Sequence, residues 1–216
     1  MNNHPLWTDD YWPLIMQLYM SKPTGVKTPY SKPVVDLAIE LHIPPKFLHE
    51  QMHLLRNHAT PSLQRIWDAY TNNPRRLGRD VRRLKQMAGF GSASMFYDGV
   101  EPADDFAADY RPIAPGSHLT RVMLIIILDL YYRLTPITMV KQTPEVEACA
   151  RLIGITPNEV VQVLCTYQAF DPILHRPTPP EGSLTNACRK VWKQFGSEEP
   201  DRLSAAALRL AEYYKK

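Results

Sequence analysis

The sequence predicts an all-α protein of two tandem helical units packed around a central apolar helix. Three observations carry this. Apolar residues recur at i, i+3, i+4 and i+7, the period of a helix with one buried face. The stretches open on cap residues followed by a first-turn proline, as in Ser31 with Pro33, Thr60-Pro61, Asn73-Pro74 and Thr143-Pro144. The whole pattern then returns at an offset of 112 positions, the mark of an internal repeat.

The first helix is expected from Thr8 to Met20, with Thr8 as N-cap, Asp9 and Asp10 in the first turn, and Trp12, Ile15, Met16 and Tyr19 as its buried face. Lys22-Pro23-Thr24-Gly25 ends it. Ser31 caps a second helix whose apolar stripe is Val34, Leu37, Ala38 and Leu41. Ile43-Pro44-Pro45 makes a turn, and a third helix covers Pro45 to Asn57. Thr60-Pro61 starts a fourth, which ends near Tyr70. Asn73-Pro74 starts a fifth, with Leu77, Val81, Leu84 and Ala88 on its apolar face.

In the second copy Thr120 answers Thr8, and Leu130-Tyr131 answers Leu18-Tyr19. Ala150, Ile153, Ile155 and Pro157 answer Ala38, Leu41, Ile43 and Pro45. A longer loop, Asp171 to Ser183, then shifts the register, so that Trp192 answers Trp67 and Pro200 answers Pro74. Two units of about five helices result, at residues 1–88 and 118–216. Met123 to Leu128 is apolar on nearly every side, so this helix is expected between the units, touching both. The connector, 89–117, carries Phe90, Met95, Phe96, Tyr97, Phe106 and Tyr110, too much apolar surface to leave in water. It is expected to pack along the helices, with its acids beside the fifth helix.

Composition sets the class. With 216 residues, 44% hydrophobic and 22% charged, the chain is that of an ordinary globular protein. The longest apolar run, Val122 to Leu128, falls far short of the roughly 20 residues of a membrane span, so no membrane partner is expected. The first residues lack the basic and apolar regions of a signal peptide. Cys149, Cys165 and Cys188 match no zinc or redox spacing and read as reduced cytoplasmic thiols. The net charge of +3 is uneven: +5 over residues 1–88, −4 over 89–117 and +2 over 118–216.

The stretch from Ala150 to Val160 is the sharpest local pattern. Ala150 lets two helices approach, Gly154 supports the turn, and Ile153, Ile155, Val160 and Val163 fill the small core between them. It resembles a DNA-binding helix-turn-helix, and the match covers roughly 20 residues of each unit. Both units are therefore expected to contain this corner. The first copy departs from it, with His42 where the turn glycine belongs. The second copy offers Asn158, Glu159, Gln162 and Thr166 outward, none of them basic. The first offers Lys46, His49, His53 and Arg56 on one stripe. The fifth helix adds Arg75, Arg76, Arg79, Arg82, Arg83 and Lys85, a set that can grip phosphates. A solvated face with local pairs such as Arg76–Asp80 is the plainer reading.

His49-Glu50-Gln51-Met52-His53 is an H-E-x-x-H string on a helix, the arrangement with which zincin-type peptidases hold zinc and activate water. A third ligand is not evident: Arg56 and Ala59 stand where an extended motif needs Gly and His, and the second copy has Val161, Gln162 and Cys165. No phosphate-binding loop and no nucleophile elbow is present. Trp67 and Trp192 at matching places read as core.

Over its whole length the chain resembles two-repeat all-helical proteins of Bacteroidetes-type bacteria, through Tyr11-Trp12-Pro13-Leu14, Val34 to Met52, and Leu128-Asp129-Leu130-Tyr131. The resemblance implies an intracellular bacterial protein and supplies no activity. The expectation is a non-enzymatic interaction module with no cofactor and no catalytic or metal site. Grooves between the units and the acidic, aromatic connector would take a protein or peptide partner. The alternative is a DNA-binding regulator using Lys46, His49, His53, Arg56, Arg75, Arg79, Arg82 and Arg83. A zinc peptidase is the remote third.

Overall fold

Proline placement and apolar spacing dictate a helical chain, and a helical chain is what forms. The computed structural model describes residues 4–91, 105–177, 179–196 and 200–215. Among them are eleven α-helices, three short 3-10 turns and no strand beyond one antiparallel bridge between Pro112 and Thr120. The chain divides into two compact units, Met1–Asp104 and Asp105–Lys216.

The first unit holds α1 (Trp12–Met20), α2 (Lys32–Leu41), α3 (Pro45–Arg56), α4 (Pro61–Thr71) and α5 (Pro74–Lys85). The α-helix begins at Trp12 rather than Thr8. Pro13 has no N–H to bond a carbonyl four residues back, so Asp9–Tyr11 closes as a 3-10 turn. The Trp12 indole N–H donates to the Asp9 carboxylate at 3.1 Å and fastens the two pieces. Leu14, Ile15, Met16 and Leu18 are all buried, because α1 packs against α3, α4 and α5. The stripe Val34, Leu37, Ala38 and Leu41 is buried as its spacing requires, as are Leu77 and Val81. Ala88 lies beyond the end of α5 and is exposed, because Gln86 onward leaves the helix.

The second unit holds α6 (Asp105–Asp109), α7 (Arg121–Arg133), α8 (Pro144–Ile153), α9 (Pro157–Gln168), α10 (Ser183–Phe195) and α11 (Pro200–Ala211). Every residue of α7 from Val122 to Tyr131 is buried. Helices α6 and α8–α11 of the same unit pack against it, so its own unit supplies the apolar surroundings that the sequence assigns to two. Inside, the Tyr167 hydroxyl donates to the Leu124 carbonyl at 2.9 Å, and Arg133 pairs with Asp129 at 2.8 Å.

The connector is shared out. Phe90 stays with the first unit, edge-on to Tyr11 at 6.1 Å between ring centroids. Residues from Asp105 onward fold with the second: Ala107 is buried, and the Ile113 N–H donates to the Leu119 carbonyl at 2.9 Å. Asp109 pairs with Arg121 rather than with the fifth helix, because α6 sets it beside the start of α7. Met95, Phe96, Tyr97, Asp98, Glu101 and Asp104 lie outside the described residues.

Candidate nucleic-acid interface and histidine pair

The two corners share a backbone geometry despite their different turn residues. Gly154 sits in the left-handed region with φ 76, and its N–H and that of Ile155 both donate to the Ala150 carbonyl, at 2.9 and 3.0 Å. His42 takes the same region with φ 55, and the Ile43 N–H donates to the Ala38 carbonyl at 3.0 Å. A non-glycine residue there costs roughly 1–2 kcal/mol. The His42 ring is engaged in turn: its Nε2 lies 3.1 Å from the Gly91 carbonyl, to which it donates.

That contact closes the end of the first corner. A Cβ on Gly91, whose φ is 71, would stand 2.9 Å from the Glu40 carbonyl oxygen, so the chain after α5 lies directly on the end of α2. Lys85 reinforces it by pairing with Glu40 at 2.6 Å. The leading turn of α3 is held similarly. Phe47 is buried, with Trp7 and His4 against it at centroid distances of 5.5 and 5.6 Å. In a DNA-reading corner this turn faces the bases; here the protein's own aromatics occupy part of it.

Further along α3, Lys46, His53 and Arg56 are exposed and His49 is half-buried. His49 Nδ1 lies 2.8 Å from the Lys27 carbonyl, and His53 Nε2 lies 3.2 Å from His49 Nε2. The Lys27 ammonium is itself tied to the Ser21 carbonyl at 2.7 Å and to that of Pro23, so the loop supporting His49 is fixed. Burial pushes the Lys27 ammonium below its usual range. Among the described residues no group of three or more His, Cys, Asp or Glu is placed to hold a metal ion.

On α5 the arginines and Lys85 are all exposed, opposite buried Leu77 and Val81. Arg76 pairs with Asp80 at 3.7 Å and lies over the Tyr70 ring, and Tyr70 donates to Asp80 at 3.0 Å. Arg75, Arg79, Arg82 and Arg83 have no acidic partner among the described residues. At 3.6 residues per turn these four share one stripe. The expected nucleic-acid residues thus form two sets on separate helices, α3 and α5, which both pack on α1.

The second corner is polar. Thr156 and Glu159 form a capping box, with the Glu159 carboxylate accepting from the Thr156 N–H at 2.8 Å and from its hydroxyl at 2.7 Å. Those bonds, and His118 at 2.6 Å, hold the Glu159 carboxyl below its usual range. Asn158 and Gln162 are exposed. Thr166, expected outward, is buried and bonds back to the Gln162 carbonyl at 2.9 Å, because the last two turns of α9 are enclosed on several sides. A hollow of about 260 Å³ in this unit, lined by Arg111, Arg121, Ser183, Asn186 and Lys190, is absent from the sequence reading. Its three cations are spread over 80 positions and lie on no common stripe.

No family model, no curated protein and no solved structure matches this chain.

Proposed function

We propose that the chain is a non-enzymatic interaction module that takes an acidic protein or peptide segment on the arginine face of α5. The single observation behind this is the stripe of Arg75, Arg79, Arg82 and Arg83, exposed and without acidic partners among the described residues. Arginine forks bind carboxylates in pairs. Met87, just past the helix, is 58% exposed and adds apolar surface of the kind that interfaces use. The corner is then a duplicated packing unit. Supporting that, α2 and α8 begin and end 112 positions apart, as do α3 and α9. The three cysteines are unbridged, in keeping with a cytoplasmic setting, and no helix among the described residues is long and apolar enough to cross a membrane.

The DNA-binding reading draws on the same four arginines, which equally suit phosphates. A base-reading α3 is less favoured, given Phe47, Trp7 and His4 at its leading turn. Anisotropy with a labelled polyglutamate peptide and a labelled duplex separates the two. The expected result is peptide binding that weakens at least about tenfold, or about 1.4 kcal/mol, in an Arg79→Glu/Arg82→Glu double variant of unchanged circular dichroism. Peptide ignored by the wild type, or bound equally by the variant, sinks the proposal. Preference for the duplex, with log affinity falling against log salt at a slope of about −3 to −4, selects the DNA reading.

A further inference from the structure

We infer that His49 and His53 form a two-imidazole clip for a divalent late first-row transition ion such as Zn2+. The Lys27 carbonyl can only accept, so His49 Nδ1, 2.8 Å away, carries the hydrogen of the neutral ring. His49 Nε2 is therefore a bare lone pair. His53 Nε2 lies 3.2 Å from it and donates its own hydrogen to that lone pair in the metal-free state. His53 is exposed, so its proton can move to Nδ1, where water accepts it. Both Nε2 lone pairs are then available at one point.

Their spacing fits an ion. Two nitrogens about 2.0–2.1 Å from a tetrahedral centre stand about 3.3–3.4 Å apart, against 3.2 Å here. The rings meet edge-on, nearly perpendicular at 81° with centroids 4.7 Å apart, and this contact keeps the two Nε2 atoms together. Imidazole suits Zn, Ni and Cu over Mg or Ca. The hydrogen bond from His49 Nδ1 to a backbone carbonyl is the outer-shell bond that orients a ligating histidine and raises its basicity. Lys27, bound through its ammonium to the Ser21 and Pro23 carbonyls, holds that bond in place before any ion arrives. No third side chain joins them among the described residues, so water completes the shell and the ion exchanges freely. This is a binding clip that braces α3 across one turn, not a hydrolytic centre.

The experiment is calorimetric titration of the tag-free full chain with Zn2+ alone, in wild type, His53→Ala and the control His175→Ala. His53 and His175 are both exposed, and alanine is the better helix former at 53, so the fold persists and circular dichroism checks it. The expected result is one ion per chain in the wild type and the control, and loss of that ion in His53→Ala. Nitrogen-15 spectra of the wild type add a second readout: Zn2+ shifts Nε2 of both rings while Nδ1 of His49 stays protonated. Absence of binding in the wild type, or binding unchanged in His53→Ala, overturns the clip.

Discussion

His42 and Gly154 occupy equivalent turns, and they part company in what surrounds them. Nothing stands within 4 Å of a Cβ built on Gly154, whereas the His42 ring is bonded to the Gly91 carbonyl. The caps divide in the same way. Thr60, Asn73, Thr120 and Thr156 accept from a backbone N–H three residues on, as their positions promise. Ser31 and Thr143 stand at cap positions too, yet their hydroxyls donate backwards, to the carbonyls of Thr28 and Thr138. Replacing Thr156 with alanine is expected to cost about 1 kcal/mol in a denaturant melt, and Ser31→Ala much less. Thr156→Ala also carries a pH signature. Glu159 is held below its ordinary range by the Thr156 bonds, so its contribution is complete above about pH 4.3. It disappears as the pH falls from there through the lower native value. Melts between about pH 7 and pH 3 should therefore show a shallower acid loss in Thr156→Ala than in the wild type. The Thr156 N–H bond to Glu159 survives in alanine, so an equal loss in both would mean that the Thr156 hydroxyl does not couple to the protonation of Glu159.

At the level of the helix, α1 and α7 set the plan of their units, each enclosed by the helices that follow. Burial on every side gives α7 its consecutive apolar run, and α1 shows a shorter form of it in Leu14, Ile15 and Met16. Leu128, fully buried, is expected to cost about 3 kcal/mol as alanine, since the cavity adds to the lost transfer free energy. Ile137, 88% exposed in the turn after α7, should change stability by less than about 0.5 kcal/mol under the same substitution. Chemical denaturation of the two variants tests both; similar losses would refute the enclosure of α7. The basic face of α5 also belongs to this scale. Its sequence gives the stripe, but Lys85 leaves it for Glu40, and Arg76 leaves it for Asp80 and Tyr70.

For the whole molecule, the three thiols report folding without a label. Cys149 and Cys188 are buried, and burial pushes their thiols up to about 11 and about 12; Cys165 is exposed. Titration with a thiol reagent at about pH 8 should give one fast group in the native chain and three after unfolding. Three fast groups in the native state would contradict the packing of α8 and α10. Both raised values place their stability below the unfolded thiol value of about 8.5. That stability is then lost as the pH rises from there through about 11 and about 12. The wild type should therefore lose stability steeply in alkali, and Cys188→Ala should lose less over the same interval, read from melts at rising pH.

Sequence alone determined where most helices lie, because caps, first-turn prolines and apolar periods act between residues a turn apart. It misplaced the start of α1, which is at Trp12 rather than Thr8, and the end of α5, which stops before Ala88. It also determined the all-α class and the placing of Arg75, Arg79, Arg82 and Arg83 on one face of a helix, whereas their exposure is read from the structure. Only the tertiary structure decided which distant groups the side chains meet. It set His49 on a carbonyl 22 positions back, laid Gly91 on an oxygen 51 positions back, and gave Asp109 to Arg121. It also turned Thr166 inward. The reason is physical. Helical periodicity is written in local hydrogen bonding, while the approach of distant polar groups depends on how whole helices settle against one another.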